Sequence, residues 1–117
     1  MRRCRIESLG VSPPGRRWPR WGSVRHSVEA ARRCLKESRH PKSAVGLLIN
    51  AGVYRDHHVC EPAMAAYIQH RLGINIEFQN RSTLSFDLQN GACGLLDAAQ
   101  VACTMLQDGG LEAALVV

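Results

Sequence analysis

Residues 44–49, Ala-Val-Gly-Leu-Leu-Ile, form a continuous apolar run. A short run that is apolar at every position is typical of a strand covered on both faces in a parallel sheet. Before it, the spacing predicts an amphipathic helix that is capped by Ser23 and ends near Arg39, because Pro41 blocks its continuation. Residues 5–11 alternate weakly and predict a strand ahead of that helix. Strand, helix and strand in this order imply a right-handed crossover.

The rest of the chain repeats this alternation. Pro62 is predicted to open a second helix, which Gly73 closes. Residues 83–89 alternate as a partly exposed strand at a sheet edge, and residues 111–117 predict another buried strand. Between them, residues 92–108 are apolar almost all round, which is the pattern of a buried central helix. The predicted fold is α/β, a mostly parallel sheet with helices on both faces.

The composition fits one folded domain. The chain has 117 residues, of which 45% are hydrophobic and 21% charged. No apolar run approaches the roughly 18 residues that span a bilayer, and the first residues do not resemble a signal segment, so a cytoplasmic protein without membrane contact is predicted. Five cysteines without C-x-x-C spacing favour reduced thiols over a disulfide framework.

Positive charge is concentrated in the first third of the chain. The formal net charge is +5, which favours an anionic partner. Residues 12–22 are irregular, basic and aromatic, because three prolines and two glycines interrupt them. Their side chains could stack on and neutralise a nucleotide-like ligand, or they could cover the core as an ordinary surface loop. The candidate ligand-binding residues are Arg16, Arg17, Trp18, Arg20 and Trp21.

A metal site and a cofactor are not predicted. The His/Cys cluster consists of His57, His58, Cys60 and Glu61. Consecutive histidines point in different directions, and no second ligand pair lies at a suitable distance in sequence.

Cys93 lies where a strand turns on small residues into a helix. At a helix start, a thiolate is stabilised by the helix dipole and by unpaired backbone N–H groups. Gly91, Ala92 and Gly94 allow a tight elbow, and the N–H groups there could hold an oxyanion when the thiolate attacks a thioester. The alternative is that Cys93 is a small buried hydrophobe.

Several segments together resemble a known family. In order and spacing they are similar to the amino-terminal half of a 3-oxoacyl-acyl carrier protein synthase III (β-ketoacyl synthase III), in the thiolase superfamily. The resemblance covers residues 44–117 well and the first strand and helix more loosely. The segments are residues 61–69, 72–74, 85–88, 90–94 and 115–117.

The resemblance implies an acyltransferase. Cys93 would take an acyl group from acyl-CoA, and a malonyl thioester, carried by CoA or acyl carrier protein, would then attack it in fatty-acid or polyketide-type synthesis. Residues 1–117 would form the first half of the fold, without the histidine and asparagine that the family has in its second half. The exposed helix face and the edge strand would pair with a second copy or a second thiolase-like half.

Three hypotheses follow, in this order. The first is the condensing enzyme. The second is a catalytically silent fragment or pseudoenzyme that keeps the fold. The third is a basic nucleic-acid-binding domain, which the net charge allows although no nucleic-acid motif accompanies it.

Overall fold

The computed structural model describes residues 3–14, 22–53, 55–56, 61–77 and 80–117. Within these ranges, no helix combines the length and hydropathy that crossing a membrane requires. A short 3₁₀ turn, Lys42–Ala44, leads into the first strand. The helices are α1 (Ser23–Glu37), α2 (Met64–Leu72) and α3 (Gly94–Gln107), and the strands are β1 (Val45–Asn50), β2 (Leu84–Asp87) and β3 (Ala113–Val116).

The three strands form one parallel sheet in the order β2-β1-β3. The apolar run predicted as a buried strand is β1, at the centre, and its Leu47, Leu48 and Ile49 side chains have no exposed surface. Burial of each such side chain contributes about 1.5–3 kcal/mol. The prediction that β2 lies at a sheet edge is confirmed.

Helices cover both faces of the sheet. On one face, Leu48 packs with α1 and α2, through residues such as Val28 and Ile68. On the other face, Leu47 and Ile49 pack against α3. This alternation along β1 is what a strand covered on both sides requires, because successive side chains point to opposite faces. The predicted α/β class with helices on both faces is confirmed.

Helix α3 is buried on one side only in this chain. Its buried residues are Gly94, Ala98 and Ala102. Leu95 and Leu96 are 61% and 72% exposed. Helix α3 therefore packs on the sheet through its small residues, and its two leucines point away from the sheet. This arrangement is expected if another chain or segment covers the leucine face.

The strand predicted at residues 5–11 is wrong. Residues 3–14 contain no strand or helix. Instead, Glu7 accepts hydrogen bonds from the Arg39 amide at 2.8 Å and the Ser38 hydroxyl at 3.3 Å, and it pairs with the His40 ring. The segment is held by side-chain contacts at the end of α1 rather than by a strand partner.

Gly10 brings this segment against the backbone of α1. A Cβ atom at Gly10 would lie 2.0 Å from the Ala30 carbonyl oxygen and 2.4 Å from the Cys34 nitrogen. Real Cβ atoms never approach so closely, so only glycine fits this crossing. The Ser8 hydroxyl, 3.2 Å from the Cys34 Sγ, adds a second contact between the two segments.

The starts of α1 and α2 also differ from the prediction. Ser23 is not the cap of α1, because Gly22 occupies that position and the Asp56 carboxylate accepts from the Ser23 and Val24 amides at 2.7 and 2.8 Å. Helix α2 begins at Met64, two residues after Pro62. Its predicted end is confirmed, since Gly73 has a left-handed backbone (φ 66°).

An aspartate on β2 caps α2. The Asp87 carboxylate accepts from the Met64 and Ala65 amides, both at 2.8 Å, and from the Asn50 side-chain nitrogen at 3.1 Å. These bonds satisfy helix-start amides that have no acceptor inside the helix. One side chain thus joins β2, β1 and α2.

We expect Asp87→Ala to lower the free energy of unfolding by about 2–3 kcal/mol, because two helix amides and a buried amide group lose their acceptor. Urea unfolding followed by circular dichroism measures this loss. Asp108→Ala is the matched control, since Asp108 is exposed at the end of α3. Equal losses in both variants would contradict the capping role of Asp87.

The Glu7 contacts predict an acid-dependent loss of stability. Hydrogen bonds from His40 and from the Arg39 amide lower the pKa of Glu7 below its ordinary value of 4.5. A carboxyl group with a lowered folded-state pKa stabilises the fold above its unfolded-state pKa, and this contribution disappears as pH falls through the folded-state pKa.

We therefore expect the difference in stability between the parent and Glu7→Gln to shrink as the pH falls below about 4.5, the ordinary pKa of the carboxyl group. Urea titrations at a series of pH values measure it. Glu37→Gln is the control, because Glu37 is exposed at the last turn of α1. A difference that stays constant down to the lowest pH would argue against the Glu7 pairing.

Candidate active site

A tight turn joins β2 to α3 and places Cys93 at its end. Gly91 has a left-handed backbone with φ 52°, a conformation that glycine adopts without strain. The Cys93 amide donates to the Asn90 carbonyl at 3.0 Å, and the Gly94 amide donates to the Gly91 carbonyl at 3.2 Å. The small residues thus form a compact turn directly before α3.

Gly94 lets the start of α3 approach the sheet. A Cβ atom there would lie 3.3 Å from the Ala51 carbonyl oxygen and 3.5 Å from the Leu88 carbonyl oxygen. Gly94 is buried, whereas Cys93 beside it is exposed. The close approach therefore fixes the helix start against the ends of β1 and β2 and leaves the thiol on the outside.

The backbone of Cys93 is relaxed. It lies in the right-handed helical region, with φ −86° and ψ −12°. A nucleophile elbow of the hydrolase type holds its nucleophile on a strained turn. Here Gly91 makes the sharp bend two residues earlier, so the Cys93 residue itself stores no strain.

Some backbone N–H groups near Cys93 donate hydrogen bonds within the protein, and others do not. Those of Cys93 and Gly94 donate within the turn. The Leu95 and Leu96 amides have no acceptor in the part of the chain that the structure describes. Unpaired amides and the positive end of the helix dipole both favour a negative charge at this position. Asp97, which accepts from the Asn90 side chain at 2.7 Å, already supplies one carboxylate in this first turn.

Two polar residues behind the turn were missed at the sequence level. Asn50 ends the apolar strand β1 with no exposed surface. Its side chain donates to Asp87, and its Oδ1 accepts from the Gly52 amide at 3.4 Å. The sequence contained one indication of this role, since Asn50 directly follows the apolar residues 44–49. A side-chain amide buried at the end of such a strand needs hydrogen-bond partners. Asn50 and Asp87 hold the strand ends that support the turn.

Most of the other candidate residues lie outside the part of the chain that the structure describes. The basic aromatic set (Arg16, Arg17, Trp18, Arg20 and Trp21) lies outside the described residues, as do His57, His58 and Cys60. The ranges that the structure covers contain no group of three His, Cys, Asp or Glu side chains able to hold a metal ion.

The described histidines lie away from α3. His26 is in α1 and contacts the Ser12 hydroxyl at 2.8 Å, His40 pairs with Glu7 after the end of α1, and His70 is in α2. Helices α1 and α2 cover the face of the sheet opposite α3. Of the described residues, none therefore brings an imidazole to the α3 side of the sheet.

Comparison with known proteins identifies relatives, although no protein-family model matches the chain. An acyl-CoA:acyl-CoA alkyltransferase of Xanthomonas campestris pv. campestris is 31% identical over 91 residues, which are 78% of this chain and 25% of the relative. A β-ketoacyl-[acyl-carrier-protein] synthase III of Acholeplasma laidlawii is 27% identical over 91 residues, 78% of this chain and 27% of the relative. The chain spans about a quarter of the length of these curated relatives.

Solved structures of OleA and of a synthase III superpose on this chain. A histidine-to-asparagine variant of X. campestris OleA with cerulenin superposes with a TM-score of 0.75 at 27% identity, covering 85% of this chain and 28% of that one. A cysteine-to-serine variant of OleA with bound lauric acid and lauroyl-CoA gives 0.71 at 29% identity, over 80% and 26% of the two chains.

A 3-oxoacyl-(acyl carrier protein) synthase III, FabH, of Xanthomonas oryzae pv. oryzae gives a TM-score of 0.74 at 27% identity, over 83% of this chain and 27% of that one. Sequence and structure therefore agree with the resemblance seen in the motifs. Over about four fifths of its length, the chain is similar to 3-oxoacyl-(acyl carrier protein) synthase III and OleA, and it has the thiolase-like α/β fold.

Proposed function

We propose that this chain is part of a condensing acyltransferase in which Cys93 accepts an acyl group from acyl-CoA. The observation that supports this most is the exposed thiol at the start of α3, beside the unpaired Leu95 and Leu96 amides. Of the cysteines that the structure describes, Cys93 alone is exposed. A thioester can therefore approach it from solvent.

The chemistry begins with the Cys93 thiolate. Its sulfur attacks the thioester carbonyl carbon, and the carbonyl electrons move to oxygen to give a tetrahedral oxyanion. Collapse of this intermediate expels the CoA thiolate and leaves an acyl-Cys93 thioester. The Leu95 and Leu96 amides, rather than the paired amides of Cys93 and Gly94, are the donors that we assign to the negative charge.

The second step would join the acyl group to a malonyl thioester with loss of carbon dioxide. It needs groups that stabilise the carbanion and assist proton transfer. The described histidines belong to α1, to α2 and to the segment after α1, and these two helices pack on the face of the sheet opposite α3. We therefore assign these groups to residues outside the described chain. We accordingly propose that residues 1–117 belong to the amino-terminal half of a thiolase-like fold.

The relatives suggest the substrates. One is named an acyl-CoA:acyl-CoA alkyltransferase, one a synthase that acts with acyl carrier protein, and OleA has been crystallised with lauroyl-CoA. We propose acyl-CoA and carrier-protein thioesters as substrates, in fatty-acid or polyketide-type synthesis in the cytoplasm. The basic aromatic segment, residues 16–21, is proposed to hold CoA.

A partner is proposed for the exposed side of α3. Leu95 and Leu96 are large apolar side chains that are mostly exposed, and β2 is an edge strand. Exposed adjacent leucines and an unpaired strand edge are the features of a protein interface. A second copy of the chain or a second thiolase-like half would cover them.

One observation favours a second candidate, a catalytically silent relative. No imidazole from the described chain lies on the α3 side of the sheet. A chain without a base would keep the fold and an acylatable thiol but would not condense. The two candidates therefore differ in the second step and agree in the first.

We expect incubation with lauroyl-CoA to add one acyl group to the chain, measured by intact-mass spectrometry and located by peptide mapping at Cys93. Cys93→Ser should lower the yield at least about tenfold, because the exposed nucleophile is lost. Cys103→Ser is the matched control on the same helix, since the Cys103 sulfur is only partly exposed and accepts from Gln107 at 3.6 Å.

Acylation of Cys93→Ser at the parental yield would show that Cys93 is not the acceptor. With acylation established, added malonyl-CoA tests the second step. Formation of a 3-oxoacyl product supports the condensing enzyme, whereas a stable adduct without product is expected both for the silent relative and for a first half without its partner.

A further inference from the structure

An open cleft of about 540 Å³ lies between the end of α1, the turn that follows it and the end of α2. Its apolar lining residues are Leu35, Pro41 and Leu72. Most of its other described lining residues are basic, and none of the described residues that line it carries a carboxylate. The charged lining residues are Arg32, Lys36, Arg39 and Lys42, together with His40.

Part of this positive charge has a structural explanation. Arg32 donates to the Arg71 carbonyl and Lys42 to the Leu72 carbonyl, each at 3.4 Å. These carbonyls belong to the end of α2, and α1 also ends at the cleft. Each helix end carries the equivalent of about half a negative charge. The Glu7 carboxylate, which pairs with the lining residue His40, adds one full negative charge.

The positive charge exceeds these negative groups. Four side chains with permanent positive charge face roughly two negative charge equivalents, counting both helix ends and Glu7. The Lys36 ammonium and the Arg39 guanidinium have no hydrogen-bond or ion-pair partner within the described part of the chain. About two positive charges at the cleft are therefore not balanced by negative groups of the described chain.

We propose that this cleft binds a small phosphorylated ligand. A phosphate monoester or a diphosphate carries about the missing negative charge, and arginine and lysine bind its oxygens through charge-assisted hydrogen bonds. The volume lies within the range of small-molecule sites. The apolar lining residues fit an organic group attached to the phosphate. A site for an extended nucleic-acid backbone would need the positive charge but not this apolar surface.

The cleft is separate from the Cys93 turn. The turn adjoins the carboxyl ends of β1 and β2, whereas the cleft adjoins Lys42–Ala44, which leads into the amino end of β1. The six residues of β1 span about 20 Å. The proposal therefore does not depend on the acyltransferase assignment, and the ligand of the cleft would act as an effector rather than as the substrate of Cys93.

Isothermal titration of the full chain with two probes tests the proposal. Inorganic pyrophosphate represents the charge alone, and phenyl phosphate represents a phosphate monoester with an apolar group. We expect saturable binding of at least one probe with one site per chain. Stronger binding of phenyl phosphate would assign an organic monoester, and stronger binding of pyrophosphate would assign a diphosphate.

The Lys36→Gln/Arg39→Gln double variant should bind about tenfold more weakly or worse, because two charge-assisted contacts are lost. Arg33→Gln is the matched control, since Arg33 lies on the same helix but pairs with Glu29 at 2.8 Å and does not line the cleft. Lys42→Gln provides an independent variant on another wall. All four substituted residues are exposed, and circular dichroism verifies that the helices remain.

Three results would overturn the proposal. The first is the absence of saturable binding for both probes. The second is equal weakening by Arg33→Gln and the double variant, which would indicate general attraction by a basic surface. The third is displacement of both probes by duplex DNA with strongly salt-dependent affinity, which would indicate a nucleic-acid surface.

Discussion

The rest of this structure depends on a strand that is buried on both faces. Leu48 of β1 packs toward α1 and α2, and Leu47 and Ile49 pack toward α3, each without exposed surface. The strand has parallel neighbours on both sides, so its backbone groups are also satisfied within the sheet. A polar side chain inside β1 would enter one of two apolar clusters, which explains why the only buried polar residue of the described chain, Asn50, stands at the end of the strand.

Asn50 and Asp87 connect this core to the helix starts. Asp87 receives the Asn50 amide and two amides of α2, and Asp56 receives two amides of α1. Both carboxylates come from segments at the carboxyl ends of the strands, so the helices of one face are fixed at the same edge as the Cys93 turn. Helix α3 differs, because its Leu95 and Leu96 amides donate to no group in the described ranges. The substrate that we propose for Cys93 would therefore meet unpaired amides at this position.

Features coded by neighbouring residues were predictable from the sequence, and features made by distant residues were not. The apolar run identified β1, and Gly73 and Gly91 identified a helix end and a turn through backbone conformations that glycine favours. The caps were missed because Asp56 lies 33 residues from Ser23, and Asp87 lies 23 residues from Met64. Residues 5–11 have a weak strand pattern, but side-chain contacts to the end of α1 hold them outside the sheet. The position of Cys93 at a helix start was local information, whereas the amides that remain unpaired there depend on the observed turn.

Both ends of the sheet carry groups that favour a negative charge, but the groups differ in kind. At the carboxyl ends of the strands, two aspartates neutralise the starts of α1 and α2, and the start of α3 keeps unpaired amides beside an exposed thiol. At the other end, Arg32 and Lys42 contact the carbonyls that end α2, and further cations exceed what the helix ends require. Parallel strands connected by helices necessarily place helix starts at one edge and helix ends at the other. The fold therefore leaves unpaired amides near the negative charge that we propose to develop at Cys93. At the opposite edge, basic side chains exceed what the helix ends require, which fits the anion that we propose there.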